Sequence, residues 1–188
     1  MKAVYFDIET TGVKFWKNGI HQLSGCIEID GEVKESFNIK TAPYREAIIE
    51  DEALKVGNVT KEQIMAYPEM GSMHRFFVSL LGKYVDKFNK QDKFFLIGYN
   101  NASFDNQFLR AWFTQANDNY FGSWFWSSSI DVMVLASEHL KEKRASMVDF
   151  KLKTVAVEMG ITIDESKLHD AEYDIQLTRE IYYKIIKK

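Results

Sequence analysis

Hydrophobic positions in the first half of the chain fall into short continuous runs that are typical of strands. Residues 2–8 are mostly β-branched and aromatic, which predicts a strand buried on both faces. Residues 21–29 and 32–39 flank Asp30-Gly31, a dipeptide suited to a tight turn, so they predict an antiparallel hairpin. Residues 94–99 predict another buried strand. The chain therefore begins with three predicted strands, and a further strand follows later in the sequence.

Helical spacing dominates the remaining segments. Residues 47–65 predict short helices with Thr60 as an N-cap, and a longer helix follows Pro68, with apolar positions that continue as far as Phe88. Ser103 is expected to cap a helix that runs to about residue 115. A short strand or turn is expected at Ile130, and further helices are expected over residues 132–141, 150–159 and 171–186. Helices that alternate with strands predict an α/β fold with a mixed sheet.

Composition narrows the class of protein. The 188 residues are 46% hydrophobic and 27% charged, which excludes disorder and predicts a single domain over residues 1–188. Cys26 is the only cysteine, so an internal disulfide and a cysteine-based zinc site are excluded and a cytoplasmic location is expected. We expect no secretory signal and no membrane span, because no apolar run approaches about 18 residues.

The net charge of −3 offers no general attraction for nucleic acid. A polyanionic partner would have to be met locally or through bound cations. Asp7 and Glu9 lie two residues apart at the end of the first predicted strand, so both side chains project from one face of the sheet. Burying such a pair is unfavourable unless a cation lies between the carboxylates, and oxygen ligands suit Mg²⁺ or Mn²⁺. Two acids that simply face water at a strand end are the alternative.

Two later segments carry further candidates. Asp105 is predicted in the first turn of a helix after the 94–99 strand, near the strand end where open α/β sheets bind ligands. The helix dipole alone is also a sufficient reason for an acid there. If Asp170 caps the last helix, Asp174 lies one turn in and His169 lies on the incoming loop at the same end. A capped, solvent-facing helix start is the alternative for this segment.

Together the three segments resemble the DEDDh group of 3′-to-5′ exonucleases, the DnaQ-like proofreading family. The matching motifs are Phe6-Asp7-Ile8-Glu9-Thr10-Thr11-Gly12, Asn101-x-x-Phe104-Asp105 and His169-x-Ala171-x-x-Asp174. The resemblance implies a ribonuclease H-like fold, in which a five-stranded mixed sheet with three antiparallel N-terminal strands followed by parallel strands is flanked by helices. One departure is Val56-Gly57-Asn58-Val59-Thr60, where related members often read Val-His-Gly-Ile-Thr.

The resemblance also implies roles for individual residues. It makes Asp7, Glu9, Asp105 and Asp174 the ligands of two divalent ions, Mg²⁺ or Mn²⁺, and His169 the general base. Phe15 and Trp16 are candidates for stacking on bases, because aromatic side chains commonly hold single strands. The residues expected to contact substrate are Thr10, Thr11, Gly12, Phe15, Trp16, Leu54, Asn101 and Phe104. Core packing is the favoured role for Trp124, and His21, His74 and His139 are interpreted as ordinary strand or helix residues.

Basic residues supply two further candidate groups for phosphate contacts. Lys14 and Lys17 follow the first motif, and a second group brackets the connection between two predicted helices: Lys141, Lys143, Arg144, Lys151 and Lys153. Solvated surface charge is the alternative for both groups.

The sequence thus predicts a metal-dependent exonuclease that acts at a nucleic-acid 3′ end and releases nucleoside 5′-monophosphates, with DNA favoured over RNA. A polymerase partner is possible, although no docking tail follows the last predicted helix. The alternatives are an exoribonuclease of the same fold and a catalytically silent nucleic-acid-binding or assembly module.

Overall fold

A computed structural model describes residues 1–167 and 171–187. Its strands are β1 (Lys2–Thr10), β2 (Ile20–Ile29), β3 (Glu32–Lys40), β4 (Phe95–Gly98) and β5 (Ile130–Asp131). They form one five-stranded sheet of order β3-β2-β1-β4-β5. The first three strands are antiparallel, whereas β4 is parallel to β1 and β5 is parallel to β4. The predicted α/β fold with a mixed, helix-flanked sheet is confirmed.

Helices cover both faces of this sheet. They are α1 (Asp51–Val56), α2 (Lys61–Met65), α3 (Met70–Leu81), α4 (Asp105–Gln115), α5 (Phe121–Trp124), α6 (Val132–His139), α7 (Leu152–Glu158) and α8 (Ala171–Ile186), with short 3-10 turns at Arg144–Ser146 and Glu165–Lys167. No helix in the described ranges is long and apolar enough to cross a bilayer.

Alternation along β1 divides the core into two layers. Val4, Phe6 and Ile8 face a cluster that contains residues of α3, α4 and α5, whereas Ala3 and Tyr5 face a second cluster with residues of α6, α7 and α8. Because side chains alternate along a strand, Asp7 and Glu9 continue the row of Ala3 and Tyr5. The two carboxylates of the first motif therefore lie on the α8 side of the sheet.

The hairpin between β2 and β3 turns at Asp30 and Gly31, whose φ angles are 52° and 87°. Positive φ at both residues is what a two-residue turn of this hand requires, as predicted. At the other end of β2 the register shifts, since Glu9 pairs with Gln22 and Thr10 pairs with Ile20. His21 is the extra residue of this β-bulge.

Two local predictions are wrong, and one element was missed. Helix α3 ends at Leu81 instead of continuing through Phe88, whose side chain is 84% exposed. Ser103 does not cap α4, because its hydroxyl donates to Asn100 Oδ1 over 3.0 Å and Phe104 occupies the N-cap position. The short helix α5 was not predicted, although its Trp124 is buried in the core as expected.

Candidate functional site

The predicted carboxylates lie at the carboxyl ends of β1 and β4. The parallel register pairs Tyr5 with Ile97, so Asp7 lies level with the end of β4. Gly98 ends β4, and Asp105 begins α4 after the loop that follows this strand. Asp174 lies in the first turn of α8, which packs against β1 and β2. Four acids from three separate segments therefore converge on one edge of the sheet.

The pKa of Asp7 reflects this convergence. It is raised well above its usual value, first by burial and then by the negative charges of Asp105, Glu9 and Asp174. Every charged group that acts on this pKa among the described residues is another carboxylate. The structure thus brings the four predicted acids within electrostatic reach of one another.

Asp105 is more deeply buried than Asp7, with 7% of its surface exposed. Burial raises the pKa of Asp105 to about 7, while backbone N–H groups of Asp105 and Ile8 lower it and the charges of Asp131 and Glu9 raise it. Near neutral pH this carboxyl is therefore poised between its protonated and ionised forms.

The chemistry of this donor set suits hard divalent cations. Carboxylate oxygens are the ligands that Mg²⁺ and Mn²⁺ prefer, and a cation would offset the repulsion that raises the pKa of Asp7. Within residues 1–167 and 171–187, no three histidine, cysteine, aspartate or glutamate side chains are arranged as a coordination shell. The four acids fit such ions by charge and by ligand type alone.

Two residues of the third motif, His169 and Asp170, lie outside the described residues. Helix α8 begins directly after them at Ala171, and its bounds match the predicted helix over residues 171–186. The expected general base and the expected cap of α8 remain predictions.

The loop after β1 is shaped by internal hydrogen bonds. Thr11 is fully buried, and its hydroxyl donates to Ile48 O over 2.7 Å and accepts from Gly19 N over 2.9 Å. A Cβ on Gly12 would lie 2.4 Å from Asn18 Nδ2, so only glycine fits there. Thr10 donates to Gly12 O over 2.7 Å. The Thr11 hydroxyl is therefore committed within the protein, and so is the Thr11 backbone, since Thr11 N donates to Gly19 O over 2.9 Å and Thr11 O accepts from Glu50 N over 2.8 Å.

Phe15 and Trp16 stand at the tip of the same loop. Their rings meet edge to face with centroids 5.1 Å apart, and Trp16 is 65% exposed. Both line a groove, here called the aromatic groove, whose remaining walls are the exposed side of α4 and the serines before β5. These walls comprise Ala102, Asn106, Gln107, Arg110, Ala111, Thr114, Gln115, Ser127, Ser128 and Ser129. The groove begins at the residues that precede Asp105.

The other three predicted substrate contacts lie deeper in the protein. Leu54 is buried, and Phe104 packs against Phe108 with ring centroids 4.9 Å apart. Asn101 is also buried; its Nδ2 donates to Asn106 Oδ1 over 3.2 Å, while its Oδ1 has no partner among the described residues. Asn101 thus keeps an acceptor beside the start of α4.

Asp131 is a positioning residue that the sequence did not reveal. One of its carboxylate oxygens accepts from Asn100 N and Met133 N, both over 3.0 Å, and the other accepts from Ala102 N over 3.2 Å. These bonds tie the loop before Asp105 to the end of β5. An acid at an N-cap position after a short strand was the available signal.

His21 also has a place that sequence reasoning missed. It lies in a strand, as predicted, but it is 1% exposed and neither ring nitrogen has a hydrogen-bond partner among the described residues. Burial, followed by the charge of Lys40, lowers the pKa of His21 to about 4. A Cβ on Gly57 would lie 3.7 Å from both Glu9 Oε2 and the His21 ring. Gly57, at the departure from the family motif, therefore lies close to both the His21 imidazole and the Glu9 carboxylate.

Most of the basic residues proposed for phosphate contacts are ion-paired within the protein. Lys17 Nζ lies 2.7 Å from Glu50 Oε1, and Lys141 and Lys153 each lie 2.7 Å from a glutamate oxygen. Lys143 lies 3.5 Å from Glu158. These pairs are consistent with solvated surface charge.

Comparisons with known proteins agree with this fold. A sequence model of the RNase_T family, described as exonuclease, matches residues 4–182. Ribonuclease T from Hahella chejuensis is 27% identical over 98% of this chain and 83% of its own length. Escherichia coli exonuclease I bound to a dT13 oligonucleotide superposes with a TM-score of 0.76 at 19% identity over 100% of this chain. Its zinc-bound complex with single-stranded DNA gives 0.76 at 19% identity over 99% of this chain. The chain spans 41% and 40% of the lengths of those two structures, respectively.

Proposed function

The chain belongs to the exonuclease family, and from that premise we propose that it is a metal-dependent 3′-to-5′ exonuclease. Its proposed reaction removes nucleoside 5′-monophosphates from the 3′ end of single-stranded or frayed DNA, within a single domain over residues 1–188. The observation that carries the proposal is the convergence of four motif carboxylates from β1, α4 and α8, whose charges together with burial raise the pKa of Asp7. A cluster of like charges of this kind is suited to holding divalent cations against a phosphodiester.

The carboxylates of Asp7, Glu9, Asp105 and Asp174 would hold two Mg²⁺ or Mn²⁺ ions. When bound, the ions supply the positive field that offsets the charge on the attacking and leaving oxygens. His169 takes a proton from the attacking water in this proposal, because an imidazole with a pKa near 6.5 is largely neutral above about pH 7.5. In this proposal the loop formed by Thr10, Thr11 and Gly12 holds the terminal nucleotide.

The aromatic groove gives the strand a route to these groups. Trp16 exposes a broad ring beside the loop that leads to Asp105, and stacking of a base on such a ring contributes about 1 to 3 kcal/mol. Stacking depends weakly on base identity, so we propose little sequence preference. A polymerase partner, a proofreading role and a cytoplasmic location stay predictions of the sequence.

An exoribonuclease is the second candidate, since the relative at 27% identity is a ribonuclease T. Both candidates use the same carboxylates and differ in the sugar that is accepted. A silent binding module would have no need of the four acids and His169 together.

Digestion of 5′-labelled, matched DNA and RNA 20-mers tests the proposal. We expect a ladder that shortens from the 3′ end with Mg²⁺ or Mn²⁺ and disappears with EDTA, and faster digestion of DNA. The Asp7→Asn variant is the matched control for contaminating nucleases. Products released from the 5′ end, or digestion that continues in EDTA, would contradict the proposed reaction. Faster digestion of RNA would select the exoribonuclease.

A further inference from the structure

Basic side chains lie over aromatic rings on a face of the molecule that the proposed reaction does not use. Lys87 Nζ lies 5.2 Å from the ring centre of Phe88 and 5.5 Å from that of Tyr120. Lys93 Nζ lies 5.5 Å from the ring centre of Trp126. We call this region, formed by residues 82–93, helix α5 and the exposed side of α4, the cation–aromatic face.

Arg110 connects the cation–aromatic face to the aromatic groove. Its guanidinium lies 4.3 Å from the ring centre of Phe121 at the start of α5, and the same side chain lines the groove beside Trp16. Lys93 precedes β4 and Asp105 follows it, so the face begins at the amino end of the sheet and leads toward the carboxylates. The two surfaces are therefore continuous through one arginine.

The cations on this face are not ion-paired within the part of the protein that the structure describes, although Lys93 Nζ donates to Gly122 O. Within the described residues, none of Lys87, Lys90, Lys93 and Arg110 has a carboxylate oxygen within 4.0 Å. By contrast, Lys141 and Lys153 elsewhere on the surface are ion-paired. Since Lys55 and Lys61 also lack such a partner among the described residues, the exposed rings beside Lys87 are what distinguish this face.

The acidic side chains of this face are already ion-paired or hydrogen-bonded within the protein. Asp92 pairs with Lys2 over 2.5 Å, and Asp86 and Asp118 accept backbone N–H groups of Phe88 and Tyr120, respectively. Their charges partly offset those of the lysines, but their oxygens are held by the protein.

Exposed rings complete the pattern. Phe88 is 84% exposed and Tyr120 is 63% exposed, next to the lysine that lies between them. Alternating cations and aromatic rings match a single-stranded nucleic acid, whose phosphates and bases alternate in the same way. An acidic protein would use the cations but would leave the rings without stacking partners.

We propose that the cation–aromatic face binds the 5′ part of a single strand whose 3′ end lies at the carboxylates. The inference rests on the proposed exonuclease function and adds a second contact region to it. It implies that affinity rises with strand length beyond the few nucleotides that fill the aromatic groove, although the protein has a net charge of −3.

Gly122 offers a sharp test of this face. It is exposed in α5, a Cβ added there would meet no atom within 4 Å, and its carbonyl accepts from Lys93 Nζ. Gly122→Glu therefore introduces a negative charge without a clash, and Gly122→Gln is the neutral control of the same shape. A Lys87→Gln/Lys90→Gln double variant removes positive charge instead.

Binding is measured by fluorescence anisotropy with oligothymidylates of 6 and 24 nucleotides that carry uncleavable phosphorothioate linkages at the 3′ end. We expect Gly122→Glu to weaken binding of the 24-mer by about fivefold, with Gly122→Gln and the 6-mer unaffected. The double lysine variant should reduce the slope of log affinity against log salt concentration by about 2.

Two results would overturn the inference: unchanged affinity of Gly122→Glu for the 24-mer, or an equal loss for both lengths. Unchanged affinity would leave the exposed cations for an acidic protein partner. Hydrolysis of an unmodified 6-mer by the wild-type protein reports on the proposed function alone. If the 6-mer is hydrolysed and the variants bind the 24-mer normally, only the second surface is lost. If the 6-mer is not hydrolysed, the proposed function itself fails.

Discussion

Two carboxylate groups on the same face of the sheet, Glu28 and Asp7, have opposite electrostatic surroundings. Glu28 on β2 is 0% exposed, and it accepts hydrogen bonds from Arg179 Nε over 3.0 Å, from Arg179 Nη2 and from the Tyr183 hydroxyl. Asp7 on β1 is surrounded by other acids, which together with burial raise its pKa. Among the described residues, Glu28 has its counter-charge built into the chain and Asp7 does not.

This difference in counter-charge indicates that Glu28 serves stability and Asp7 serves function. A buried carboxylate that is paired and fully hydrogen-bonded is compatible with folding, whereas carboxylates that repel one another at a sheet edge oppose it. Glu28 therefore belongs to the packing between β2 and α8. Asp7 and the neighbouring acids form an arrangement that becomes favourable only when a cation and a substrate bind.

The largest effect is expected at Asp7. Asp7→Asn keeps the shape of the side chain and removes a cation ligand, so we expect 3′-end hydrolysis to fall by about 10³-fold or more. Circular dichroism should show an unchanged fold. The matched control is Glu28→Gln, which should retain wild-type kcat per folded molecule. Wild-type activity in Asp7→Asn, or an equal loss in Glu28→Gln, would remove the distinction between the two groups.

The next effect concerns stability. Arg179→Met leaves the buried Glu28 carboxylate without its cation, and we expect a loss of about 3 kcal/mol in the free energy of unfolding measured with urea. Adding Glu28→Gln to that variant should recover part of the loss, because the unpaired charge is gone. A loss below about 1 kcal/mol would show that the ion pair is not the element that stabilises this region.

A smaller effect on rate is expected at His169. His169→Ala should reduce kcat by about 10²-fold, the usual contribution of a general base, with little change in the free energy of unfolding. The wild-type rate should rise with pH through the region near 6.5, where an unperturbed imidazole loses its proton. A rate that is flat from about pH 5.5 to pH 8.5 would remove His169 from this role.

The smallest effect is the pH dependence of the metal-free protein. The pKa of Asp105 is raised to about 7, so the folded state retains a proton that the unfolded state loses near pH 4. The stability from this group is therefore present at low pH and is lost as pH rises through that window. In EDTA at about pH 8 we expect Asp7→Asn to raise Tm by about 2 to 6 °C, since it relieves the repulsion.

Added Mg²⁺ provides the control for that measurement. It should raise Tm of the wild-type protein more than that of Asp7→Asn, because the ion binds the folded state and needs the missing ligand. A wild-type Tm in EDTA that rises between about pH 5 and pH 8 would contradict the assignment of the shifted carboxyls.

Local pattern was sufficient to predict much of the fold. The alternation in β1, the Asp30-Gly31 turn and the bounds of α8 depend on neighbouring residues, so they could be derived from the sequence. The end of α3 could not be derived in this way. The helix ends at Leu81, before Gly82, although the apolar spacing continues beyond it. Beyond Leu81, Val85 packs into the core from a loop, whereas Phe88 is exposed.

The site likewise has one part that could be predicted from the sequence and one part that could not. The four acids lie near the end of β1 and in the first turns of α4 and α8, positions that are visible in the sequence. The position of His21 beside Gly57 and Glu9 depends on a bulge, and the contact of Arg110 with Phe121 depends on the packing of α4 against α5. Such relations join residues that are distant along the chain, and single-sequence periodicity carries no information about them.

The buried amide of Asn18 has a consequence for the loop that bears Phe15 and Trp16. Its Oδ1 accepts from Lys14 N over 2.9 Å and its Nδ2 donates to Ile48 O over 2.8 Å, so the loop is fastened on both sides. The conformational entropy of that loop is lost when the chain folds and not when a strand binds. The aromatic pair is thus preorganised, and a nucleotide end meets a rigid platform that need not be assembled at each turnover.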